Sequence, residues 1–169
     1  MNLSKQQCQH LIDLAESTYG WNPVIWGKTK YLTAPFKNFQ IDDILYHPID
    51  DITNIIKQYC SENLNLEVDN VNICVLKYEK GWRFERHRDY GGNEFTGDYL
   101  YNINVLLNNE YEGGEFYLED KPYIKPVGEI YHYESSKYHE VKQIKDGTRY
   151  SCLFYVRHRD IKNNKKTVI

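Results

Sequence analysis

Val71-Asn72-Ile73-Cys74-Val75-Leu76-Lys77-Tyr78, followed by the turn signal Lys80-Gly81 and then by Arg83 to Asp89, decides how this chain reads. Apolar, β-branched and aromatic residues dominate the first run, and a glycine punctuates the passage to the next, which is strand grammar. The pattern continues downstream. Tyr99 to Leu107, Glu115 to Leu118, Gly128 to Tyr133, Glu140 to Ile144 and Thr148 to Arg157 are further strand-like runs. Turn signals separate them at Gly91-Gly92-Asn93, Gly113-Gly114, Pro126-Val127-Gly128 and Asp146-Gly147. Many short strands with no helices between them argue for a sandwich or barrel rather than a doubly wound parallel sheet.

Upstream of Val71 the period is helical. Ser4 and Gln7 stand at capping-box spacing, and Cys8, Leu11, Ile12, Leu14 and Ala15 form an apolar stripe that stops near Gly20. A second helix is expected over about 50–62, where Ile52, Ile55, Ile56, Tyr59 and Cys60 recur at helical spacing. Between them, Trp21 to Gln40 carries Pro23, Gly27 and Pro35 among aromatics and reads as irregular strands and loops, a candidate flap. The expected architecture is mainly β: one domain, with a jelly-roll core over 71–157, two N-terminal helices buttressing it within a support segment 1–70, and a polar tail over 158–169.

Bulk properties narrow the function. With 169 residues the chain suits one domain with a sizeable core. Hydrophobic residues at 41% and charged residues at 27% are the balance of a soluble globular protein. The 16 tyrosines suit half-buried strand surfaces. A net charge of −3 is a poor footprint for a dedicated nucleic-acid binder, which must neutralise phosphates. The start, Met1 to Lys5, has no apolar signal region and no run approaches a membrane span, so a soluble cytoplasmic protein without membrane partners is expected. Cys8, Cys60, Cys74 and Cys152 lack metal-ribbon or CxxC spacing and read as small buried hydrophobes.

The chemistry begins at His87-Arg88-Asp89. On a strand, residues i and i+2 point the same way, so an imidazole and a carboxylate share a face. Alone this pair says little. About fifty residues on stands His139, and two histidines with one carboxylate make the facial triad of non-haem iron(II) oxygenases, which leaves coordination positions open. A structural zinc site would close its coordination, usually with cysteines, and none lies near in sequence. A helical His-Glu-x-x-His is absent. Beyond the Asp146-Gly147 turn comes Arg149, whose planar fork suits the far carboxylate of a dicarboxylate cosubstrate chelating the metal. Ser151, two residues on, shares its face and can add a hydroxyl donor. Singly these residues have plainer readings: His139 as a surface histidine on a hairpin, Arg149 paired with Asp146 or Glu140. Of the remaining histidines, His132 alone has a case for a supporting role near the site. Trp82, Arg83, Arg86 and Arg88 read as a charged, solvated strand edge, with a basic mouth for an acidic substrate as the sharper alternative.

At this point the sequence resembles the iron(II)- and 2-oxoglutarate-dependent oxygenases, specifically their prolyl 4-hydroxylase-like branch. The resemblance covers 71–157. It rests on Tyr78-Glu79-Lys80-Gly81 leading through Trp82 and Phe84 to His87-x-Asp89, on Asn104-Val105-Leu106-Leu107-Asn108 and Glu112-Gly113-Gly114-Glu115, and on Lys125-Pro126-Val127-Gly128, His139-Glu140-Val141 and Gly147-Thr148-Arg149-Tyr150. It implies a double-stranded β-helix, Tyr78 as a further donor to the cosubstrate carboxylate, and Fe(II), 2-oxoglutarate and O2 as reactants, with ascorbate as a candidate reductant. It implies hydroxylation of an unactivated C–H bond with release of succinate and CO2. A peptidyl substrate, prolyl first and lysyl second, is the leading expectation. A free amino acid or small metabolite is the alternative, and a non-catalytic metal-binding jelly-roll module a more distant one. Oxidative repair of alkylated nucleic acid is disfavoured, because that branch carries a second arginine six residues after the first, where this chain has Tyr155. The sequence is silent on oligomeric state.

Overall fold

Ser4 and Gln7 close a reciprocal cap: the Gln7 amide N–H donates to Ser4 Oγ (3.0 Å), and the Ser4 N–H donates to Gln7 Oε1 (2.9 Å). This opens α1 (Lys5–Ser17) in the computed structural model, which describes residues 1–17, 20–35, 49–69, 71–89 and 99–162. The second helix, α2 (Asp50–Leu64), ends at Asn65 in a left-handed conformation whose N–H caps the Cys60 carbonyl. Two acidic residues, Asp50 and Asp51, occupy its first turn, where the helix dipole favours negative charge. Cys8, Leu11, Ile12 and Ala15 of α1, and Ile52, Ile56, Tyr59 and Cys60 of α2, are buried.

Among the described residues twelve strands follow this order: β1 (Asn22–Trp26), β2 (Thr29–Pro35), β3 (Asn72–Tyr78), β4 (Phe84–His87), β5 (Tyr99–Leu106), β6 (Tyr111–Gly113), β7 (Phe116–Leu118), β8 (Lys121–Pro122), β9 (Tyr131–Glu134), β10 (His139–Val141), β11 (Ile144–Gly147) and β12 (Arg149–Arg157). They form a six-stranded sheet β1-β2-β3-β12-β5-β9, a four-stranded sheet β4-β10-β7-β8 and the pair β11-β6. Every pairing is antiparallel, so the expected mainly β, jelly-roll-like architecture is the one observed.

Strand alternation divides the interior into two cores. On β3, β5 and β12, the residues Ile73, Val75, Ile103, Val105, Cys152, Phe154 and Val156 join the helices' apolar faces in one buried cluster. Each such side chain withdrawn from water contributes about 1.5–3 kcal/mol. The opposite faces of β3 and β12, with Leu76, Tyr78 and Leu153, meet Phe116, Val141 and Ile144 of the smaller sheets. The functional groups lie in this second core. None of the four cysteines, all within the described residues, is in a disulfide.

The structure amends several sequence expectations. Trp21 to Gln40 contains a regular hairpin, β1–β2, over its described part, with full register from Asn22↔Thr33 to Trp26↔Thr29. The run Glu140 to Ile144 is two strands in different sheets, β10 and β11, because Lys142 and Gln143 break the ladder. Asp146-Gly147 is not the turn: both residues pair with β6, and Thr148 alone separates β11 from β12. The run from Gly128 shortens to Tyr131–Glu134. The turn signal Gly91-Gly92-Asn93, positions 36–40 and, of the polar tail, positions 163–169 lie outside the described residues.

Candidate active site

Two short strands of the smaller sheet bring the histidines together. In the β4–β10 pairing His87 and His139 are direct cross-strand partners, and their rings lie 4.2 Å apart. Each imidazole is oriented by its own backbone. Nδ1–H of His87 donates to the Glu85 carbonyl (2.7 Å) and Nδ1–H of His139 to that of Lys137 (2.9 Å). Both Nε2 lone pairs are thereby directed at Asp89. Asp89 sits just past β4, its N–H donating to the Ser135 carbonyl (2.9 Å). Its Oδ1 is 3.4 Å from His87 Nε2 and its Oδ2 is 3.4 Å from His139 Nε2. The three ligand atoms all lie within 4.8 Å of one another. Burial opposes ionisation of this carboxyl, but the two imidazoles of His139 and His87 facing it outweigh burial and hold Asp89 well below the usual carboxylate range. Asn102, completely buried on β5, donates its side-chain N–H to Asp89 Oδ2 (2.5 Å).

His87 Nε2 is buried without a hydrogen-bond partner. Two imidazole nitrogens and a carboxylate converging on a shared point, one of them a buried orphan, fit a divalent metal ion. With no thiol in the group, the donor set is that of a hard to borderline cation with open positions.

Behind this triad runs a cavity of about 90 Å³. It is lined by Arg149, which stands opposite Tyr78 in the β3–β12 register. Arg149 is only 4% exposed, its NH1 donates to Ser151 Oγ (3.2 Å), and its Nε is an orphan. Among the described residues no carboxylate forms an ion pair with it. A buried, uncompensated guanidinium is costly unless an anion joins it. Tyr78 is fully buried with its hydroxyl unpartnered, and its ring lies 5.6 Å from the guanidinium. Burial drives the Tyr78 phenol far above its ordinary value, with Arg149 opposing, so it remains an O–H donor. Asn104 on β5 also lines this cavity, 7% exposed, with an unpartnered Nδ2. The cavity therefore joins a three-ligand cluster at one end to a cation and several unused donors at the other. That is the shape and polarity of a site for a dicarboxylate that also chelates a metal.

The six residues singled out from sequence thus converge on one site: His87, Asp89 and His139 form the cluster, and Tyr78, Arg149 and Ser151 line the cavity beside it. His132 is not among them. It points to the other face of β9, where its Nδ1 accepts from Tyr59 Oη of α2 (2.7 Å). The plainer reading of the arginines holds for Arg86, which makes a bidentate pair with Asp120 (2.6 and 3.0 Å). Tyr155, at the position where a second arginine would stand, stacks on Tyr99 at 4.7 Å. Sequence reasoning missed Asn102 and Asn104. Their signal was present as two amides at i and i+2 inside an otherwise apolar strand. It also missed the clamp on the β1–β2 hairpin, where Glu85 Oε2 accepts from the Lys28 N–H (2.8 Å) and Thr29 Oγ1 accepts from the Glu85 N–H (2.9 Å). That clamp sets the Trp26 ring edge-on to His87 at 6.0 Å while leaving Trp26 43% exposed.

Comparison with known proteins accords with this geometry. A sequence model of the 2OG-Fe(II) oxygenase superfamily matches residues 73–157, half of the chain and every residue of the site. The chain belongs to that superfamily. "Probable prolyl 4-hydroxylase 8" of Arabidopsis thaliana is 29% identical to it over 118 residues, which are 67% of this chain and 41% of the plant protein. The chain thus spans about two fifths of the length of that relative. Among solved structures, a Pseudomonas putida prolyl-4-hydroxylase superposes with a TM-score of 0.70 at 17% identity, over 92% of this chain and 88% of the other. The viral collagen prolyl hydroxylase of Paramecium Bursaria Chlorella virus-1, in its 2OG complex, gives 0.64 at 18% identity over 92% and 91%. At these identities the structural likeness speaks to the fold.

Proposed function

We propose that this chain is a dioxygenase that hydroxylates an unactivated C–H bond, on a peptidyl prolyl (or lysyl) residue, with release of succinate and CO2. The observation that carries the proposal is the single cavity joining the His87–Asp89–His139 cluster to the buried, anion-lacking Arg149. His87, Asp89 and His139 hold Fe(II) through two imidazole nitrogens and one carboxylate oxygen. Arg149 and Tyr78 bind the far carboxylate of 2-oxoglutarate, with the Ser151 hydroxyl bracing the guanidinium. When bound, iron and cosubstrate supply the oxidising power, one oxygen atom of O2 going to succinate and the other to the product. The protein's part is positioning and exclusion of water. The backbone carbonyls of Glu85 and Lys137 fix both imidazoles, Asn102 holds one oxygen of Asp89, and Tyr31, stacked 5.4 Å from Tyr78, covers the cavity wall.

A peptidyl target is supported by the half-exposed Trp26 beside His87, an aromatic platform at the cluster's outer edge, and by the names of the plant and viral relatives. The first test is an anaerobic titration of metal-free protein with Fe(II) and 2-oxoglutarate, followed by the visible metal-to-ligand charge-transfer band. A band that disappears in His87→Ala and weakens in Arg149→Ala is expected. Folded, metal-binding protein that gives no band overturns the oxygenase reading. Given a band, proline- and lysine-containing peptides should accelerate succinate formation more than the free amino acids; the reverse order assigns a small-molecule substrate.

A further inference from the structure

Strand β5 is buried on both faces, yet it carries two amides on one of them. Ile103 and Val105 face the helix-side core, and Asn102 and Asn104 face the site. A buried amide whose hydrogen bonds are not made is a net cost, so an apolar strand tolerates one only where something satisfies it. The amide N–H of Asn102 is accounted for by its bond to Asp89, while its Oδ1 is left without a partner. That of Asn104 is not: its Nδ2 carries two donors into the cavity and, apart from the Tyr133 phenol it faces, has no partner at hydrogen-bond distance.

The sheet register says which part of a bound molecule it would meet. The Arg149 guanidinium reaches back to the level of Ser151, which lies opposite Leu106. Asn104 lies opposite Leu153, and Asn102, which holds Asp89, lies opposite Tyr155. At about 3.4 Å per residue, Asn104 stands about 7 Å from the guanidinium level and about 7 Å from the metal-ligand level. It occupies the middle of the path between cation and metal cluster. Tyr133 crosses this point too: burial drives its phenol well up, opposed by the amides of Asn104 and Asn102, so it stays protonated against them.

We infer that Asn104 is a cosubstrate-binding residue, donating from Nδ2 to the 2-oxo-carboxylate end of 2-oxoglutarate next to the metal, while Arg149 and Tyr78 hold the other end. This rests on the reading under Proposed function and adds a second, metal-proximal anchor. The acceptor class is set by chemistry, because a cavity whose spare atoms are an amide N–H, a phenol O–H and a guanidinium N–H selects a ligand with acceptors at both ends.

The test compares wild type with Asn104→Leu, which keeps the volume and removes the donor, using Mn(II)-loaded protein without turnover. Calorimetric titration with 2-oxoglutarate should show a Kd about ten- to a hundredfold higher in Asn104→Leu, the range of a lost hydrogen bond to a charged group. The midpoint of thermal unfolding without 2-oxoglutarate should be unchanged or higher in the variant, because an unsatisfied amide has been removed. A residue serving only packing or the Tyr133 contact predicts the opposite pair: lower intrinsic stability with an unchanged Kd. Equal Kd values in two folded proteins overturn the inference and leave the wider assignment standing. Failure of wild-type Mn(II) protein to bind 2-oxoglutarate at all overturns the wider assignment itself.

Discussion

Gly114→Ala tests whether the turn after β6 is part of the site or only a connection. Gly114 has φ +65°, and a Cβ there would overlap Ile144 Cδ1 and lie 3.1 Å from Arg149 Cδ and 3.2 Å from Tyr111 Cε2. Ile144 is 1% exposed within the core and has nowhere to withdraw. Gly81→Ala is the matched control, since Gly81 has φ +88° and nothing within 4 Å of its added Cβ. Both substitutions carry the left-handed backbone penalty of about 1–2 kcal/mol, and both stiffen the unfolded chain by a similar amount. In the difference between them these contributions cancel and overpacking remains, about 1–3 kcal/mol. For a chain of this size that is a difference in thermal midpoint of about 2–12 °C, with Gly114→Ala the lower. The same methyl pushes on the stem of Arg149, so 2-oxoglutarate should bind Gly114→Ala about tenfold more weakly, below the hundredfold that a full ~1 Å misplacement can produce. Gly81→Ala should bind it like wild type. Calorimetric scans and titrations of the two metal-loaded variants check both numbers. Equal midpoints, or an unaltered Kd in Gly114→Ala, would refute the argument that this turn holds Arg149 in place.

Three further outcomes follow from the same structure. Asn102→Ala frees Asp89 Oδ2 and should weaken Mn(II) or Co(II) binding by about 10–100-fold, measured by competition with a chelating dye, and retained wild-type affinity would remove Asn102 from the site. Burial holds His132 below its ordinary value of 6.5, so the unfolded chain takes up that proton first. Stability should therefore be complete above about pH 6.5 and fall as the pH drops from there towards the lowered folded value, and His132→Gln should flatten that slope in thermal scans. Ser4→Ala opens the reciprocal cap of α1 and should lower the midpoint by about 2–4 °C, corresponding to about 1 kcal/mol, without altering 2-oxoglutarate affinity.

What was legible in the sequence shares one property: it was local in the chain or carried by a long strand. The cap of α1 is visible as Ser4 and Gln7, and β3, β5 and β12 are long enough for their alternation to declare itself. His87 and Asp89 are two residues apart, and Arg149 and Ser151 are two apart, so strand geometry alone places each pair on a common face. The illegible parts are those whose definition lies across the sheet. β8 has two residues and β6 three, too few for any period, and they exist because β8 pairs with β7 and β6 with β11. Asp146-Gly147 has turn composition and still pairs, because β6 offers it a partner.

The two asparagines mark where a sequence argument yields to the packed site. In an alternating strand they read as interruptions of an apolar face, and nothing local says whether they meet solvent, each other or a ligand. The structure answers differently for each. Asn102 has found its acceptor in Asp89, and Asn104 has not. A fold that withdraws an arginine, a tyrosine and an amide from water into one cavity, and leaves donors of all three unpartnered, has given up stability that an acceptor-rich ligand would restore on binding. The same unpaired donors that weaken the free protein are the ones a dicarboxylate can use. Ligand-induced stabilisation should therefore be large relative to cavity size and should require acceptors at both ends. Butyrate, which keeps one carboxylate and has no acceptor at its other end, should raise the thermal midpoint of Mn(II)-loaded protein less than 2-oxoglutarate does at equal concentration.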